Sequence, residues 1–206
     1  MARLNHNDYP AMNLDELSRP SIIVVDMING FVSKGALADP EIARAGTPIR
    51  SLIERTDSTR QKLLFVTDTH KPGCLEFDSF PEHCLEGSRE SQVMDELQEF
   101  VTEDNVLRKN SINTFGADGF LDWFSALEKP SDIVITGCCT DLCVLQLALS
   151  LQSYINEKNL RGFRIILPVD CVDTYDIPDV HSARQTNRFA LDNMKANGIQ
   201  VVSSIV

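Results

Sequence analysis

The stretch DIVITGCCTDLCVLQLALSLQSYI, residues 132–155, decides how the rest of the chain is read. It opens on a short run rich in β-branched residues, Asp132 to Thr136, which reads as a buried strand. It closes on an amphipathic run, and the pattern predicts a helix over 140–157. A buried strand feeding directly into a helix is the first half of a parallel crossover unit. Between the two lie three of the six cysteines, Cys138, Cys139 and Cys143.

The same alternation extends in both directions. SIIVVD (21–26), KLLFVT (62–67), FRIIL (163–167) and QVVSSI (200–205) read as further buried strands, with NVLRK (105–109) as a weaker one. Helices are expected over 41–60, 89–100, 118–128 and 180–197, the last ending at Asn197-Gly198. Strands and helices in alternation predict an α/β fold. The expected architecture is a doubly wound, mostly parallel sheet of about six strands inside an α/β/α sandwich. The 206 residues read as a single domain, 1–206, with 1–20 as an N-terminal extension.

Composition narrows the function. A net charge of −11 argues against a nucleic-acid partner, because phosphate backbones are bound by basic patches. The N-terminal MARLNHNDYPAMNLDELSRP lacks the apolar core of a secretory signal, and no apolar run approaches the roughly 20 residues of a membrane span. The expectation is a cytoplasmic protein without a membrane partner, whose cysteines are thiols.

In an open parallel sheet, sites form beyond the carboxyl ends of the strands. Asp26 closes the first strand, Asp68 and His70 follow the second, Lys109 ends the weak one, and the cysteine cluster follows DIVIT. Thr140 reads as an N-cap with Cys143 in the first helical turn, where the helix dipole lowers a thiol pKa and free N–H groups can hold an oxyanion. The plainer reading of Cys143 is a small buried hydrophobe. Asp26, partly desolvated at a strand end, suits an acid/base role, or is simply satisfied by backbone. Lys109 reads as a counter-charge or as a solvated cation. His6 lies in a polar terminus, and His181 reads as a solvated residue at a helix start.

The segment DTHKPGCLEFDSFPEHCLEGS (68–88) is long for a connection in a compact domain. Asp68, His70 and His83, with Glu76 between them, offer mixed oxygen and nitrogen ligands of the kind that suit zinc, iron or manganese. A rival set would use Cys74 and Cys84, which lack the C-x-x-C spacing of structural zinc.

Taken together, IIVVDMINGF (22–31), RKNSINTF (108–115) and TGCCTDLCV (136–144) resemble the three motif regions of the isochorismatase-like cysteine hydrolases. The DTH…FPEHC loop resembles the metal loop of the nicotinamidase/pyrazinamidase branch. The resemblance implies a triad of Asp26, Lys109 and Cys143. It implies a divalent metal, zinc first, on Asp68, His70 and His83, with Glu76 at a position that ligates in some similar enzymes. It implies a cis peptide between Cys138 and Cys139, with the N–H groups of Cys139 and Cys143 facing an oxyanion. The fold it implies is the parallel sheet between helical layers already read from the pattern. The implied activity is hydrolysis of a small amide, nicotinamide, through a cysteine thioester, in a protein free to form a homo-oligomer. Three positions depart from the usual pattern: Gly30 stands where an acidic residue precedes the phenylalanine, Phe80 replaces a tryptophan, and Cys138–Cys139 replaces small apolar residues. Phe31 and Phe80 could still sandwich an aromatic ring, or pack in the core. Two alternatives stay open: another amidase of the superfamily acting on a ureido or carbamoyl compound, and a non-catalytic metal- and thiol-binding protein.

Overall fold

The computed structural model describes residues 8–56 and 61–206. Among these, seven parallel strands form one sheet: β1 Ser21–Val25, β2 Lys62–Asp68, β3 Val106–Lys109, β4 Ser131–Cys138, β5 Phe163–Pro168, β6 Val172–Asp173 and β7 Gln200–Val202. The order is β3-β2-β1-β4-β5-β7, with the short β6 beside the end of β4. The order reverses between β1 and β4, so a crevice opens at their carboxyl ends.

The near-continuous apolar strands are explained by burial of both faces. Ile23, Val25, Ile133 and Ile135 pack under α3 (Phe120–Ser125), α4 (Leu145–Glu157) and α5 (Ala183–Ala196), through Phe120, Leu147, Leu151 and Met194. Their neighbours Ile22, Val24 and Val134 face the other way, toward the short α1 (Asn29–Val32) and α2 (Gly46–Arg55), through Phe31, Ile49 and Leu52. Successive strand residues point to opposite faces, so both sets must be apolar when both faces are covered. Gly137 sits at φ +106°, and a Cβ there would lie 1.9 Å from the Val25 carbonyl oxygen. Only glycine lets the end of β4 run this close to β1.

Several expected boundaries move. No α-helix covers 89–100: a 3₁₀ turn occupies Asp95–Phe100, and the chain before it pairs with the loop after β1. The carbonyls of Glu90 and Gln92 accept from the amides of Gly30 and Asn29 and are therefore unavailable to a helix. The helix expected over 41–60 is a 3₁₀ segment, Pro40–Ala45, followed by α2; positions 57–60 lie outside the described residues, as do residues 1–7 of the extension and with them His6. The strand expected over 200–205 ends at Val202, and the helix expected from 180 starts at Ala183. Residues 140–144 form a π-turn that precedes α4, so Cys139, not Thr140, is the capping residue. No helix among the described residues is long and apolar enough to cross a membrane.

Candidate active site

The ends of four adjacent strands bring Asp26, Asp68, Lys109 and Cys143 together, all of them buried. Asp26 follows β1 with φ +52°, a left-handed conformation rare outside glycine. Its amide donates to the Val66 carbonyl and its Oδ1 accepts from the Asp68 amide at 2.8 Å. Those two bonds hold the carboxyl across the sheet end despite the backbone strain.

Lys109 Nζ is the hub. It lies 2.9 Å from Asp26 Oδ2, 2.9 Å from Asp68 Oδ1 and 3.7 Å from Cys143 Sγ. Two of its protons go to Asp68 Oδ1 and Cys143 Sγ, and its charge faces Asp26 Oδ2. The Asp26 contact is an ion pair without hydrogen-bond alignment, so Oδ2 retains a lone pair for a further proton. Burial drives the two carboxyls upward and Lys109 pulls both down, with opposite results. Asp26 ends raised to about 6, because burial outweighs Lys109 and Asp68 adds repulsion. Asp68 ends well below the usual range, because both imidazoles add to Lys109. Lys109 stays charged: burial opposes the charge, but Asp26, Cys143 and Asp68 hold its pKa well above its ordinary value.

The thiol departs from the expectation. Burial pushes Cys143 well above the ordinary thiol value, opposed by Lys109 and reinforced by Asp26 and Asp68. The resting group is thus a thiol and not the thiolate predicted from a helix start. The turn that carries it is a π-turn rather than a regular helical first turn, and two carboxylates crowd it.

Asp68, His70, Glu76 and His83 converge, each offering one ligand atom within 4.8 Å of the others. His70 Nε2 is 3.1 Å from Asp68 Oδ2 and 3.7 Å from Glu76 Oε1; His83 Nε2 is 3.3 Å from Asp68 Oδ2. The outward ring nitrogens face acceptors, His70 Nδ1 at 3.2 Å from Asn110 Oδ1 and His83 Nδ1 at 2.7 Å from the Pro81 carbonyl. With the proton on Nδ1, held by these acceptors, both Nε2 lone pairs would be free for a cation lying between them and the carboxylate oxygens. His70 Nε2 is buried without a hydrogen-bond partner. Lone pairs facing carboxylates call for a shared cation, so these residues fit a divalent metal. Burial works against protonation of His70, but Asp68 outweighs it and raises the pKa. The rival thiol set is not assembled, since Cys84 is fully buried with its sulfur packed against Gly30.

Metal group and thiol open onto one cavity of about 560 Å³. Phe31 and Phe80 line it as expected, their rings 5.8 and 6.4 Å from the His83 ring. Cys139 lines it too, whereas Cys138 points inward and its Sγ donates to the Asp26 carbonyl at 3.1 Å. The Cys138–Cys139 peptide is cis. Gly30 adjoins this wall: a Cβ there would lie 2.5 Å from Cys84 Sγ and 3.1 Å from Glu90 Cβ. Glu90 turns its carboxylate inward and accepts from the Cys84 amide at 3.0 Å. The space of the acidic side chain usual at position 30 is thus already taken.

Two residues were missed in the sequence. Asn110 fixes the His70 tautomer; its place beside Lys109 was the available signal. His181, read as solvated, is instead largely buried and paired with Asp141 at 2.8 Å. No local pattern indicates that pairing across 40 positions.

A buried acid, cation and thiol meet at the carboxyl edge of a parallel α/β sheet, the grouping a cysteine nucleophile requires. The chain belongs to the isochorismatase family: a model of the isochorismatase domain matches residues 20–205. Nicotinamidase 1 of Arabidopsis thaliana is 26% identical over 219 residues, covering 93% of this chain and 88% of its own. The pyrazinamidase/nicotinamidase of Streptococcus mutans superposes with a TM-score of 0.72 at 20% identity, over 89% of this chain and 99% of its own. The pyrazinamidase of Pyrococcus horikoshii, solved in complex with zinc, gives 0.70 at 22% identity, over 90% and 99%. These two structures bear on the fold. Family membership places the chain among the isochorismatase-like hydrolases.

Proposed function

We propose that the protein is a nicotinamidase, converting nicotinamide and water to nicotinate and ammonia. The observation that carries this reading is a metal-ligand set and a thiol opening onto one aromatic-walled cavity. A heteroaromatic amide needs both ends held, its ring at one side and its carbonyl carbon at the nucleophile.

Asp26, raised to about 6, accepts the Cys143 proton as the sulfur attacks the carboxamide carbon. A base in that range is ionised at neutral pH yet still a usable acid in the next step. Lys109, 3.7 Å from Sγ, stabilises the developing thiolate. The N–H groups of Cys139 and Cys143 donate to the oxyanion. Asp26 returns the proton to the departing nitrogen; the C–N bond breaks, ammonia leaves and a thioester remains. Asp26 then deprotonates a water, which hydrolyses the thioester and releases nicotinate and the thiol. Phe31 and Phe80 flank the ring and exclude water. Asp68, His70, Glu76 and His83 would hold a divalent metal, zinc by preference, which would supply Lewis-acid character for orienting a ring nitrogen.

The test is ammonia release from nicotinamide and from benzamide, each with metal-loaded and metal-stripped enzyme. Benzamide keeps the carboxamide and ring shape but lacks the ring nitrogen. Its kcat/KM is expected to be at least ~100-fold lower, about 2.7 kcal/mol, and to fall less on stripping. Equal values on the loaded enzyme would defeat ring-nitrogen orientation; no ammonia from nicotinamide under any condition would defeat the assignment.

A further inference from the structure

One wall of the cavity comes from a loop that the mechanism above does not use. Tyr175, Ile177 and Pro178 line the pocket opposite the metal group, on the segment between β6 and α5. This segment folds back on itself: the amides and carbonyls of Ile177 and His181 bond reciprocally at 2.9 Å. Its tip is exposed, with Val180 at 80% exposure, while Tyr175 at its base packs against the core.

The Asp176 amide ties the segment to Asp39 Oδ2 at 3.0 Å, and His181 ties it to the nucleophile turn. Its ring stacks on Tyr175 at 3.9 Å between centroids and 18° between planes. Its Nδ1 lies 2.9 Å from the Tyr175 carbonyl oxygen, and its Nε2 lies 2.8 Å from Asp141 Oδ2. Both partners are acceptors, so both bonds form together only when each ring nitrogen carries a proton. Asp141 stands two residues before Cys143 in the π-turn, and its Oδ1 is buried with no hydrogen-bond partner. His181 is the side chain that this carboxylate meets, at 2.8 Å from Oδ2.

We propose that His181 is a positioning residue of the substrate pocket: bonded to Asp141 and stacked on Tyr175, it clamps the Tyr175–Pro178 wall onto the turn that carries Cys143. The clamp sets the width of the slot between that wall and Leu142 on the nucleophile turn, and so the fit of a flat aromatic amide. It touches neither the attacking sulfur nor the proton-transfer groups, so it governs substrate binding rather than the chemical step. The proposal rests on the nicotinamidase reading for its choice of substrate, but the clamp itself is a property of the free protein.

Two measurements on metal-loaded enzyme test it. Steady-state hydrolysis of nicotinamide by His181→Ala should show KM raised about tenfold or more, the scale of one lost charge-assisted hydrogen bond, with kcat changed less than about threefold. Asp141→Asn keeps an acceptor but loses the charge, and should give a smaller rise in KM. Hydrogen exchange read by mass spectrometry should show lost protection in peptides covering 174–182 and 139–145 in His181→Ala, with the β1, β2 and β4 peptides unchanged. This second readout needs no substrate. If wild type fails to hydrolyse nicotinamide, the functional reading falls while exchange still decides the clamp. Unchanged exchange in both peptides, an unchanged KM in His181→Ala, or a kcat loss as large as the KM change would overturn the clamp.

Discussion

Replacing Lys109 by Met keeps most of the side-chain volume and removes the only charge shared by Asp26 and Asp68. Lys109 and Asp26 are fully enclosed and Asp68 is 2% exposed, so water does little to screen what remains. Breaking a buried ion pair by removing one partner costs about 3–5 kcal/mol, because the other is left as an uncompensated buried charge. Here two carboxylates are left facing each other, which favours the upper end. The loss depends on pH, and its sign follows from Asp26. Its folded pKa, about 6, is already above its unfolded value. A raised carboxyl contributes stability that is fully present below the unfolded pKa and is lost as pH rises through the folded one. Without Lys109 the folded pKa rises further, and each added unit returns about 1.4 kcal/mol on the acid side. The gap between wild type and Lys109→Met should therefore be widest near about pH 8 and should close by at least about 1 kcal/mol near about pH 5.5. Urea unfolding of the metal-stripped proteins at both pH values reads it directly. A gap under about 1 kcal/mol at the higher pH, or one that widens on acidification, would refute the view of Lys109 as the hub.

Three further outcomes are expected. Because Asp26 must be ionised to take the thiol proton and is raised to about 6, kcat/KM for nicotinamide should fall on an acid limb near that value; Asp26→Asn should lose several orders of magnitude at every pH, and full activity at pH well below the limb would exclude Asp26 as the base. Cys143→Ala should abolish turnover while Cys138→Ala, whose sulfur faces the Asp26 carbonyl rather than the cavity, keeps part of it; mass spectrometry should show loss of activity tracking alkylation of Cys143. Asn110→Ala removes the acceptor that orients His70, so metal affinity measured by competition with a chromophoric chelator should weaken about 10–100-fold, and an unchanged affinity would remove Asn110 from the site.

The sheet and the line-up of Asp26, Asp68, Lys109 and Cys143 along it were legible because both depend on short-range pattern. Apolar runs mark buried strands, and a polar residue closing such a run marks the edge where parallel sheets build sites. The metal quartet was legible for the same reason, since its ligands come from one loop of continuous chain. What failed was decided by partners remote in sequence. The segment 89–100 has helix-forming composition, but its carbonyls pair with Gly30 and Asn29. The thiol at 143 looked activated by its helix, but burial beneath the neighbouring strand ends raises it instead, with Asp26 and Asp68 adding to the shift. His181 looked solvated because Asp141, its partner, lies a full crossover away.

Gly30 carries a consequence for how this sequence can change. Its missing side chain is not a gap, since the sulfur of Cys84 and the stem of Glu90 stand within contact of where a single methyl would begin. Cys84 adjoins His83, so a methyl at position 30 would push on a residue bonded to a metal-ligand histidine. Reinstating an acidic residue at 30 is therefore a change whose order matters: positions 84 and 90 must shrink first, or the replacement arrives in occupied space. Gly30→Asp alone should impair metal binding and fold together, whereas the same change on a Cys84→Ala, Glu90→Ala background has room to be accepted. Gly30 in α1 is thus coupled in order to positions 84 and 90, and substitution at 30 alone would misread its glycine as indispensable.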